Sequence, residues 1–157
     1  MGIFATVTGD VLKQTDTKLI AHGVNCEGVM GAGVALQIKN KWPHVYRDYA
    51  TYCWRSRESN ILGTYLSVLA DDIEHVVFNM FTQASTGYGK QVSYDAVHDS
   101  FKALNDNWEN YHNLNYKSIL AIPMIGAGLG GGNWDIISKI IDDVTPNIQI
   151  QVYKFQG

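Results

Sequence analysis

The chain has 157 residues, of which 46% are hydrophobic and 17% charged, and its formal net charge is −3. This length suits one domain with a sizeable core, and this charge argues against a basic surface for general nucleic-acid binding. No apolar run approaches the ~20 residues of a membrane span, and the N-terminus lacks the apolar stretch of a signal peptide. The two cysteines, Cys26 and Cys53, show neither metal-ligand spacing nor a disulfide pattern. We therefore expect a soluble, cytoplasmic, monomeric protein with a single domain over residues 1–157 and with no metal or cofactor.

Strand-like and helix-like patterns alternate along the chain. Short apolar runs bounded by turn residues predict strands, and apolar residues at every third or fourth position predict helices. The order of these elements favours an α/β protein, a three-layer α/β/α sandwich with a mixed central sheet. The predicted elements are, in order, strands at 3–8 and 19–24, helices at 33–41 and 45–55, strands at 64–69 and 75–81, a helix that Ser93 caps, a strand at 118–125, a helix at 134–144 and a strand at 148–155.

Two glycine-rich turns each follow a strand-like run and precede a helix-like pattern. The first is Gly31-Ala32-Gly33, and the second runs from Gly126 to Gly132. Glycine lets backbone N–H groups approach a ligand closely, and a helix N-terminus behind it favours negative charge. The two turns therefore predict a crevice that holds a phosphate or a diphosphate.

Neither turn matches a standard nucleotide-binding motif. No lysine follows the glycines of the second turn, as the P-loop of a nucleoside triphosphatase requires. The first strand does not lead into GxGxxG with an acidic residue about twenty positions later, as in a dinucleotide-binding fold. Any diphosphate would therefore be held by backbone amides rather than by lysines.

Polar residues at the ends of the first two strands are candidates for ligand contact or chemistry. Asp10 could accept a hydrogen bond from an amine such as that of adenine, or it could cap a helix that begins at Val11. Asn25 could bind hydroxyl groups, and His22 or Glu27 could transfer protons. The alternative is a loop in which Asn25 bonds its own backbone and His22 is a core residue.

The segment after the strand at 75–81 could form a lip over a ligand. Polar groups stand at its tip, and Tyr88 or Lys90 could reach inward, although Lys90 also fits a solvated loop. Tyr153 and Phe155, at the end of the last strand, could stack on a base or lie in the core. The tryptophans fall within helical patterns and are interpreted as packing residues: Trp42, Trp54, Trp108 and Trp134.

Four segments in this order resemble the macrodomain family, and the similarity runs over essentially the whole chain. Within that family, the chain is most similar to small ADP-ribose-1''-phosphate phosphatases and to glycohydrolases that remove terminal ADP-ribose from glutamate. The segments are Gly9-Asp10-Val11, the stretch from Val24-Asn25-Cys26 to Met30-Gly31-Ala32-Gly33-Val34-Ala35, the strand end from Phe78 to Gln83, and Ile125-Gly126-Ala127-Gly128-Leu129-Gly130.

The resemblance implies ADP-ribose bound across the carboxyl ends of the strands, with its diphosphate and distal ribose between the two glycine turns. It implies that Asp10 accepts a hydrogen bond from the adenine amine, that Asn25 contacts the distal ribose, and that Phe155 packs against the adenine or its ribose. His22 and Asn25 are the candidates for catalysis. The implied ligand-binding residues are Gly9, Asp10, Val11, Gly23, Val24, Asn25, Met30, Gly31, Ala32, Gly33, Val34, Ala35, Thr82, Ile125, Gly126, Ala127, Gly128, Leu129, Gly130, Gly131 and Phe155.

The chain departs from two branches of the family. The glutamate-directed relatives carry a lysine and an aspartate where this chain has Gln83 and Gly130, so chemistry through a lysyl intermediate is not expected. Branches that act through an Asn-Ala-Ala-Asn segment also differ, because this chain has Asn25-Cys26-Glu27-Gly28.

Three functions follow from the resemblance. The leading hypothesis is hydrolysis of ADP-ribose-1''-phosphate to ADP-ribose and phosphate. The second is a reader that binds ADP-ribose without turnover, and the third is a glycohydrolase that releases ADP-ribose from protein or nucleic acid.

Overall fold

The computed structural model describes residues 2–86, 91–111, 118–128 and 130–155, in which six strands form one sheet. The order of the strands across the sheet is β1-β6-β5-β2-β4-β3. All neighbours are parallel except β3, which pairs antiparallel with β4 at one edge. The elements are β1 (Gly2–Thr8), β2 (Leu19–Asn25), α1 (Gly33–Lys41), α2 (Pro43–Arg55), β3 (Tyr65–Leu69), β4 (Val76–Gln83), α3 (Tyr94–Asp106), a 3-10 turn (Trp108–Asn110), β5 (Ile119–Pro123), α4 (Trp134–Val144) and β6 (Gln149–Lys154).

Two helical layers cover the two faces of the sheet. Residues alternate between faces along β2, where Leu19 and Ala21 pack with α3 and α4, whereas Ile20 packs with α1 and α2. Burial on both faces explains why the central strands are apolar almost without interruption. The predicted three-layer α/β/α sandwich with a mixed sheet is confirmed.

Local signals place the ends of the helices. Ser93 caps α3 as predicted, because its side chain accepts a hydrogen bond from the Ala96 amide. The second helix starts at Pro43 rather than at 45. Proline is tolerated at the first helical position because the backbone N–H at that position has no acceptor within the helix. The predicted strand at 118–125 is shorter, because the chain turns after Pro123 and the Ala127 amide bonds the Met124 carbonyl.

The carboxyl ends of the five parallel strands all lie along the same side of the sheet, which we call the carboxyl edge. The segments that follow β1, β2, β4, β5 and β6 therefore converge there, and they include both glycine turns. This edge is where ligands bind in open α/β sheets.

Candidate functional site

The N-terminus of α1 is open to an anion. Its N-cap is Ala32, which has no side-chain acceptor, and its first turn has no acidic residue. The Leu36 amide bonds the Ala32 carbonyl, so the amides before it lie outside the helical hydrogen-bond pattern. Residues 31–33 are exposed, so solvent or a ligand can reach this end of the helix.

The other three α-helices in the described parts of the chain do not share this feature. Ser93 caps α3, and Asn133 caps α4 by accepting from the Asp135 amide. In α2 the His44 amide donates to the carboxylate of Asp71. Only α1, among these helices, offers its first turn without an internal acceptor, which is the arrangement that binds phosphate.

The loop between β2 and α1 is shaped by two glycines in the left-handed region. Gly28 has φ +81° and Gly33 has φ +59°, a conformation that other residues adopt only with strain. Gly28 also lies against α2, where an added Cβ would be 3.6 Å from Ala50 Cα and from Cys53 Cβ. The turn predicted at Gly31-Ala32-Gly33 therefore forms between β2 and the open end of α1.

Asn25 organises this loop from inside. Its Oδ1 accepts hydrogen bonds from the amides of Glu27 (3.0 Å) and Val29 (3.3 Å) and from the Tyr49 hydroxyl (2.8 Å), and its Nδ2 donates to the Val29 carbonyl (2.8 Å). The geometry thus matches the alternative in which Asn25 bonds its own loop.

The second glycine loop folds back on itself. The Gly132 amide bonds the Gly126 carbonyl at 2.7 Å, and the amides of Gln91 and Val92 bond the Gly130 carbonyl. Gly126 has φ +75°, and an added Cβ would lie 2.7 Å from Val92 Cγ2. These glycines are therefore required by the close packing of the loop on itself and on its neighbours.

Gly128 and Gly130 differ within this loop. A Cβ at Gly130 would lie 2.8 Å from the Gly126 carbonyl oxygen, so the aspartate of the glutamate-directed relatives does not fit here without a shift of the backbone. A Cβ at Gly128 would have no heavy atom within 4 Å, and the residue is exposed. The backbone of this loop is therefore open to solvent at Gly128. Leu129 lies outside the described residues.

Gly23 brings the two strand ends and the second loop together. An added Cβ there would lie 2.8 Å from Thr82 Oγ1 and 2.9 Å from Ile125 Cγ2. Only a residue without a side chain lets β2, β4 and the second loop approach this closely. Other implied ligand residues support the site through core packing and do not expose their side chains to a ligand. Val11, Val24 and Met30 are buried, and Val34 and Ala35 pack against the core.

Asp10 and Phe155 lie together at the carboxyl edge, where β1 and β6 end. The Gly9 amide donates to the Lys154 carbonyl at 3.0 Å, so Asp10 follows directly beside Phe155. Asp10 Oδ1 accepts from the Leu12 amide at 2.9 Å and caps a turn, not a helix. Phe155 is 63% exposed, whereas Tyr153 is buried and donates its hydroxyl hydrogen to Asp16. Of the two aromatics, Phe155 is the one that a base could reach.

His22 lies in the core. It is 1% exposed, and its Nε2 donates to Asn79 Oδ1 at 2.7 Å, while Asn79 Nδ2 donates to the Leu66 carbonyl. Burial, partly offset by this bond, lowers the pKa of His22 to about 4, so the ring is neutral and its Nδ1 is a buried acceptor that has no partner among the described residues. This geometry favours the core-histidine alternative over a role as acid or base.

The remaining candidates near the loop are not nucleophiles. Burial raises the pKa of Cys26 to about 11, and its Sγ lies 3.5 Å from the Gln83 carbonyl. Gln83 donates from Nε2 to the Ser85 carbonyl. The predicted lip residues Tyr88 and Lys90 lie outside the described residues. Within residues 2–86, 91–111, 118–128 and 130–155, no three His, Cys, Asp or Glu side chains are grouped as metal ligands would be.

Sequence reasoning did not find the structural role of two exposed residues, Trp54 on α2 and Glu27 in the loop after β2. The packing interpretation is wrong for Trp54, which is 66% exposed, although Trp42 and Trp108 are buried as expected. Trp54 lies off the apolar face that Val45 and Tyr49 define, and this offset was the available signal. Glu27 was named only for proton transfer, but its Oε1 accepts from the Thr86 amide and joins the loops after β2 and β4.

A cavity of about 520 Å³ lies at the amino ends of the strands, where β5 and β6 begin. It is lined by Asn105, Trp108 and Asn147, among others, and its charged groups are Asp106 and Glu109. These two carboxylates would repel a diphosphate, so the cavity is unsuited to that ligand. The carboxyl edge is therefore the candidate site. In the described parts of the chain, no helix has the length and apolar character needed to cross a membrane.

A three-layer α/β/α sandwich with an open helix N-terminus at the carboxyl ends of its parallel strands belongs to the class of α/β domains. The model of the Macro domain family matches residues 21–141, and the chain belongs to this family. The resemblance derived from the sequence is thereby confirmed.

Three relatives illustrate this membership. An uncharacterized 17.5 kDa protein of the tk-vs intergenic region of Enterobacteria phage T4 is 32% identical over 154 residues, which are 96% of this chain and 95% of that protein. A DNA ADP-ribosyl glycohydrolase of Mycobacterium tuberculosis is 29% identical over 96% of this chain, which spans 42% of that relative's length. An ADP-ribose 1''-phosphate phosphatase of Candida albicans is 24% identical over 86% of each chain.

Solved structures share the fold. A protein of unknown function from Bacteroides thetaiotaomicron matches with a TM-score of 0.81 and 28% identity over 98% of both chains. The macrodomain of Thermus aquaticus DarG matches with a TM-score of 0.77 and 26% identity, over 97% of this chain and 99% of the other.

Proposed function

We propose that this chain binds ADP-ribose along the carboxyl edge of its sheet and hydrolyses ADP-ribose-1''-phosphate. The observation that carries the binding proposal is the open N-terminus of α1, whose first turn has no internal acceptor and is exposed at Ala32 and Gly33. A diphosphate supplies the negative charge that these amides and the helix dipole favour. The names of the glycohydrolase and phosphatase relatives have ADP-ribose in common, which supports this choice of ligand.

The two ends of the edge suit the two ends of that ligand. Asp10 and the exposed ring of Phe155 would hold the adenine by a hydrogen bond and by stacking. The diphosphate would lie between α1 and the second glycine loop, near the exposed Gly128. The distal ribose would then lie near the loop that Asn25 holds at the end of β2.

Hydrolysis at the terminal phosphate needs a water that attacks phosphorus as the bond to the ribose oxygen breaks, giving ADP-ribose and inorganic phosphate. The neutral, buried His22 is poorly placed to take the proton from this water. A phosphate oxygen of the substrate can accept it instead, and the departing ribose oxygen takes a proton from solvent, while backbone amides stabilise the charge that develops in the transition state. We therefore expect slow turnover.

The test is phosphate release together with binding. Purified protein is incubated with ADP-ribose-1''-phosphate, inorganic phosphate is measured over time, and calorimetry with ADP-ribose is run on the same preparation. Release above buffer and a dissociation constant around micromolar (roughly −8 kcal/mol) are expected. If ADP-ribose produces neither heat nor a thermal shift, the binding proposal fails. If ADP-ribose binds while ADP-ribose-1''-phosphate stays intact, the phosphatase proposal fails. The chain would then be a reader of ADP-ribose or would act on a different ADP-ribose derivative.

A second candidate is a glycohydrolase that releases ADP-ribose from nucleic acid. It is favoured by the 29% identity to a DNA ADP-ribosyl glycohydrolase and by the exposed Trp54 on α2, the helix that packs against the loop after β2. Loss of mass from an ADP-ribosylated oligonucleotide would support this candidate. An unchanged mass at high protein concentration, under conditions in which ADP-ribose binds, would exclude it.

A further inference from the structure

We propose that the outer face of α2 is an interface for a second copy of this chain, where the sequence led us to expect a monomer. In the dimer, the α2 helices of the two copies lie antiparallel across a two-fold axis. Each end of one helix then meets the opposite end of the other. This interface is separate from the proposed function and does not depend on it.

The two most exposed large apolar side chains in the described residues lie at opposite ends of α2. Ile73 is 76% exposed in the turn between β3 and β4, and Trp54 is 66% exposed in the last turn of the helix. The turn that carries Ile73 lies against the first turn of α2, because the His44 amide donates to the carboxylate of Asp71 at 3.1 Å. The helix therefore separates two exposed apolar groups.

The turn at the start of α2 is acidic. Ile73 lies among three carboxylates, those of Asp71, Asp72 and Glu74, and we call residues 71–74 the acidic tip. Lys18 pairs with Glu74 at 3.5 Å, so three carboxylates face one lysine and the tip remains negative. Oδ1 of Asp72 accepts hydrogen bonds from two backbone amides of the turn, each at 2.9 Å, which fixes the shape of the tip.

The backbone of Ile73 is strained. Its φ is +60°, a conformation that β-branched residues adopt only at a cost in free energy. Glycine or asparagine would form such a turn with less strain. Because the side chain is also mostly exposed, it contributes little to the stability of a single chain. An exposed apolar side chain held at such a cost indicates a contact outside the chain.

The other end of α2 is basic and aromatic. The guanidinium carbon of Arg57 lies 4.0 Å from the centre of the Trp54 ring, and its Nη1 donates to the Trp54 carbonyl at 2.9 Å. Arg55, in the last turn, is exposed. Within the part of the chain that the structure describes, neither arginine pairs with a carboxylate, although Glu58 follows in the sequence. We call Trp54, Arg55 and Arg57 the basic end.

An exposed stripe joins the two ends along α2. It consists of residues three or four positions apart, which share one face of a helix: His44, Arg47, Thr51 and Trp54. The 13 residues of α2 span about 20 Å. A two-fold axis across the middle of the helix exchanges its ends, so the acidic tip of each copy meets the basic end of the other. Both contacts form together, and such an interface closes at two copies.

A second copy of the chain supplies what each end lacks. The basic end offers an aromatic surface to Ile73 and two cations to the carboxylates around it, and tryptophan and arginine are the residues that most often dominate interface energies. A single helix and two turns make a small interface, so we expect a weak dimer. Salt should weaken it further, because exposed charge pairs are screened.

The experiment is sedimentation velocity on the unchanged chain at low and high salt. Protein up to ~1 mM reveals dimers with dissociation constants in the micromolar to millimolar range. A reversible dimer that weakens with salt is expected. A chain that stays monomeric at low salt throughout this range would overturn the proposed dimer and assign Ile73 and Trp54 to a different partner.

Two variants remove the apolar groups. Trp54→Ala and Ile73→Gly should each raise the dissociation constant of the dimer about tenfold. Ile73→Gly should not lower the midpoint of thermal unfolding, measured at a concentration where the chain is monomeric, because glycine adopts a φ of +60° without strain. Loss of the dimer in this variant therefore does not arise from loss of the fold. Unchanged dissociation constants in both variants would overturn the proposed dimer.

Charge reversal tests the antiparallel pairing. Arg55→Glu/Arg57→Glu makes the basic end acidic, and Asp71→Asn/Glu74→Lys makes the acidic tip basic while asparagine keeps an acceptor for the His44 amide. Each variant alone should be monomeric, because its two contacts join like charges. An equal mixture should dimerise, because both contacts of the mixed dimer then join opposite charges. A mixture that stays monomeric would overturn the proposed dimer.

The matched control is Lys102→Glu/Lys139→Glu. It changes the net charge as much as the arginine variant does, but on α3 and α4, where these lysines pair with Asp106 and Asp143. The dissociation constant should change by no more than about twofold, because distant exposed charges are screened. If this control weakens the dimer as much as the arginine variant does, association depends on net charge alone and the proposed dimer is overturned.

Discussion

The hydroxyl oxygen of Tyr49 lies 2.8 Å from both the backbone carbonyl oxygen and the side-chain Oδ1 of Asn25. Tyr49 is fully buried in α2, and burial raises its pKa well above the usual range, so the hydroxyl stays protonated and donates. The helix therefore holds the end of β2 at the point where the candidate ligand loop begins. Asn25 in turn holds the backbone of that loop from within.

Tyr49→Phe tests this connection. The variant keeps the ring packing and removes the buried hydroxyl that donates to Asn25, so the free energy of unfolding should fall by about 1 kcal/mol. ADP-ribose affinity should fall as well, because the loop loses its fixed position. Denaturant titration and calorimetry measure the two effects. Tyr52→Phe on the same helix is the control, and an equal loss of affinity there would contradict a specific role for the Tyr49–Asn25 bond.

Ala32→Asp should change stability and binding in opposite directions. Aspartate at this N-cap gives α1 the acceptor that it lacks, and the free energy of unfolding should rise by about 1 kcal/mol. The same carboxylate competes with the diphosphate for the amides and repels it, so affinity for ADP-ribose should fall tenfold or more. Ala32→Ser, which caps without charge, should stabilise similarly with a smaller loss of affinity. Unchanged affinity in the aspartate variant would place the diphosphate elsewhere.

The sequence allowed the fold to be predicted closely but the inner structure of the site only in part. The helices at 33–41 and 134–144 match because their patterns end at strong local signals, a Trp-Pro pair and Thr-Pro-Asn. The site residues depend on tertiary packing that no local pattern encodes. Whether His22 faces a ligand or the core is decided by its pairing with Asn79, 57 positions away.

The glycines of the second loop provide a matched pair. Gly126→Ala places a methyl group 2.7 Å from Val92 Cγ2 at a φ of +75°, so it should destabilise the protein by about 2 kcal/mol or more. Gly128→Ala adds a methyl group into open space and should leave stability unchanged. If the loop covers the diphosphate as proposed, Gly128→Ala should still weaken ADP-ribose binding. Denaturant titration and calorimetry on both variants check this, and full affinity in Gly128→Ala would remove the loop from the site.

Asp10 should select adenine through its amine. Asp10→Ala should weaken ADP-ribose binding by ~1–3 kcal/mol, the range for a lost hydrogen bond to a charged acceptor. Because Asp10 also caps the turn at Leu12, affinity alone does not separate the two roles. The analogue with hypoxanthine in place of adenine does, since it lacks the amine. The unchanged chain should prefer the adenine ligand and Asp10→Ala should not; a preference that survives in the variant would assign adenine recognition to another residue.

His22 should make stability depend on pH. Burial lowers its pKa in the folded chain to about 4, whereas an unperturbed histidine has a pKa of 6.5, so between these values the unfolded chain binds the proton more tightly. The free energy of unfolding should therefore fall as the pH drops from about 6.5 to about 4, by about 3 kcal/mol from this residue. His22→Gln can still donate to Asn79 but does not titrate in this range, so its stability should fall less over the same interval. Urea titrations of both proteins at pH 7, 5.5 and 4 measure the difference, and parallel pH profiles would show that another group controls the loss.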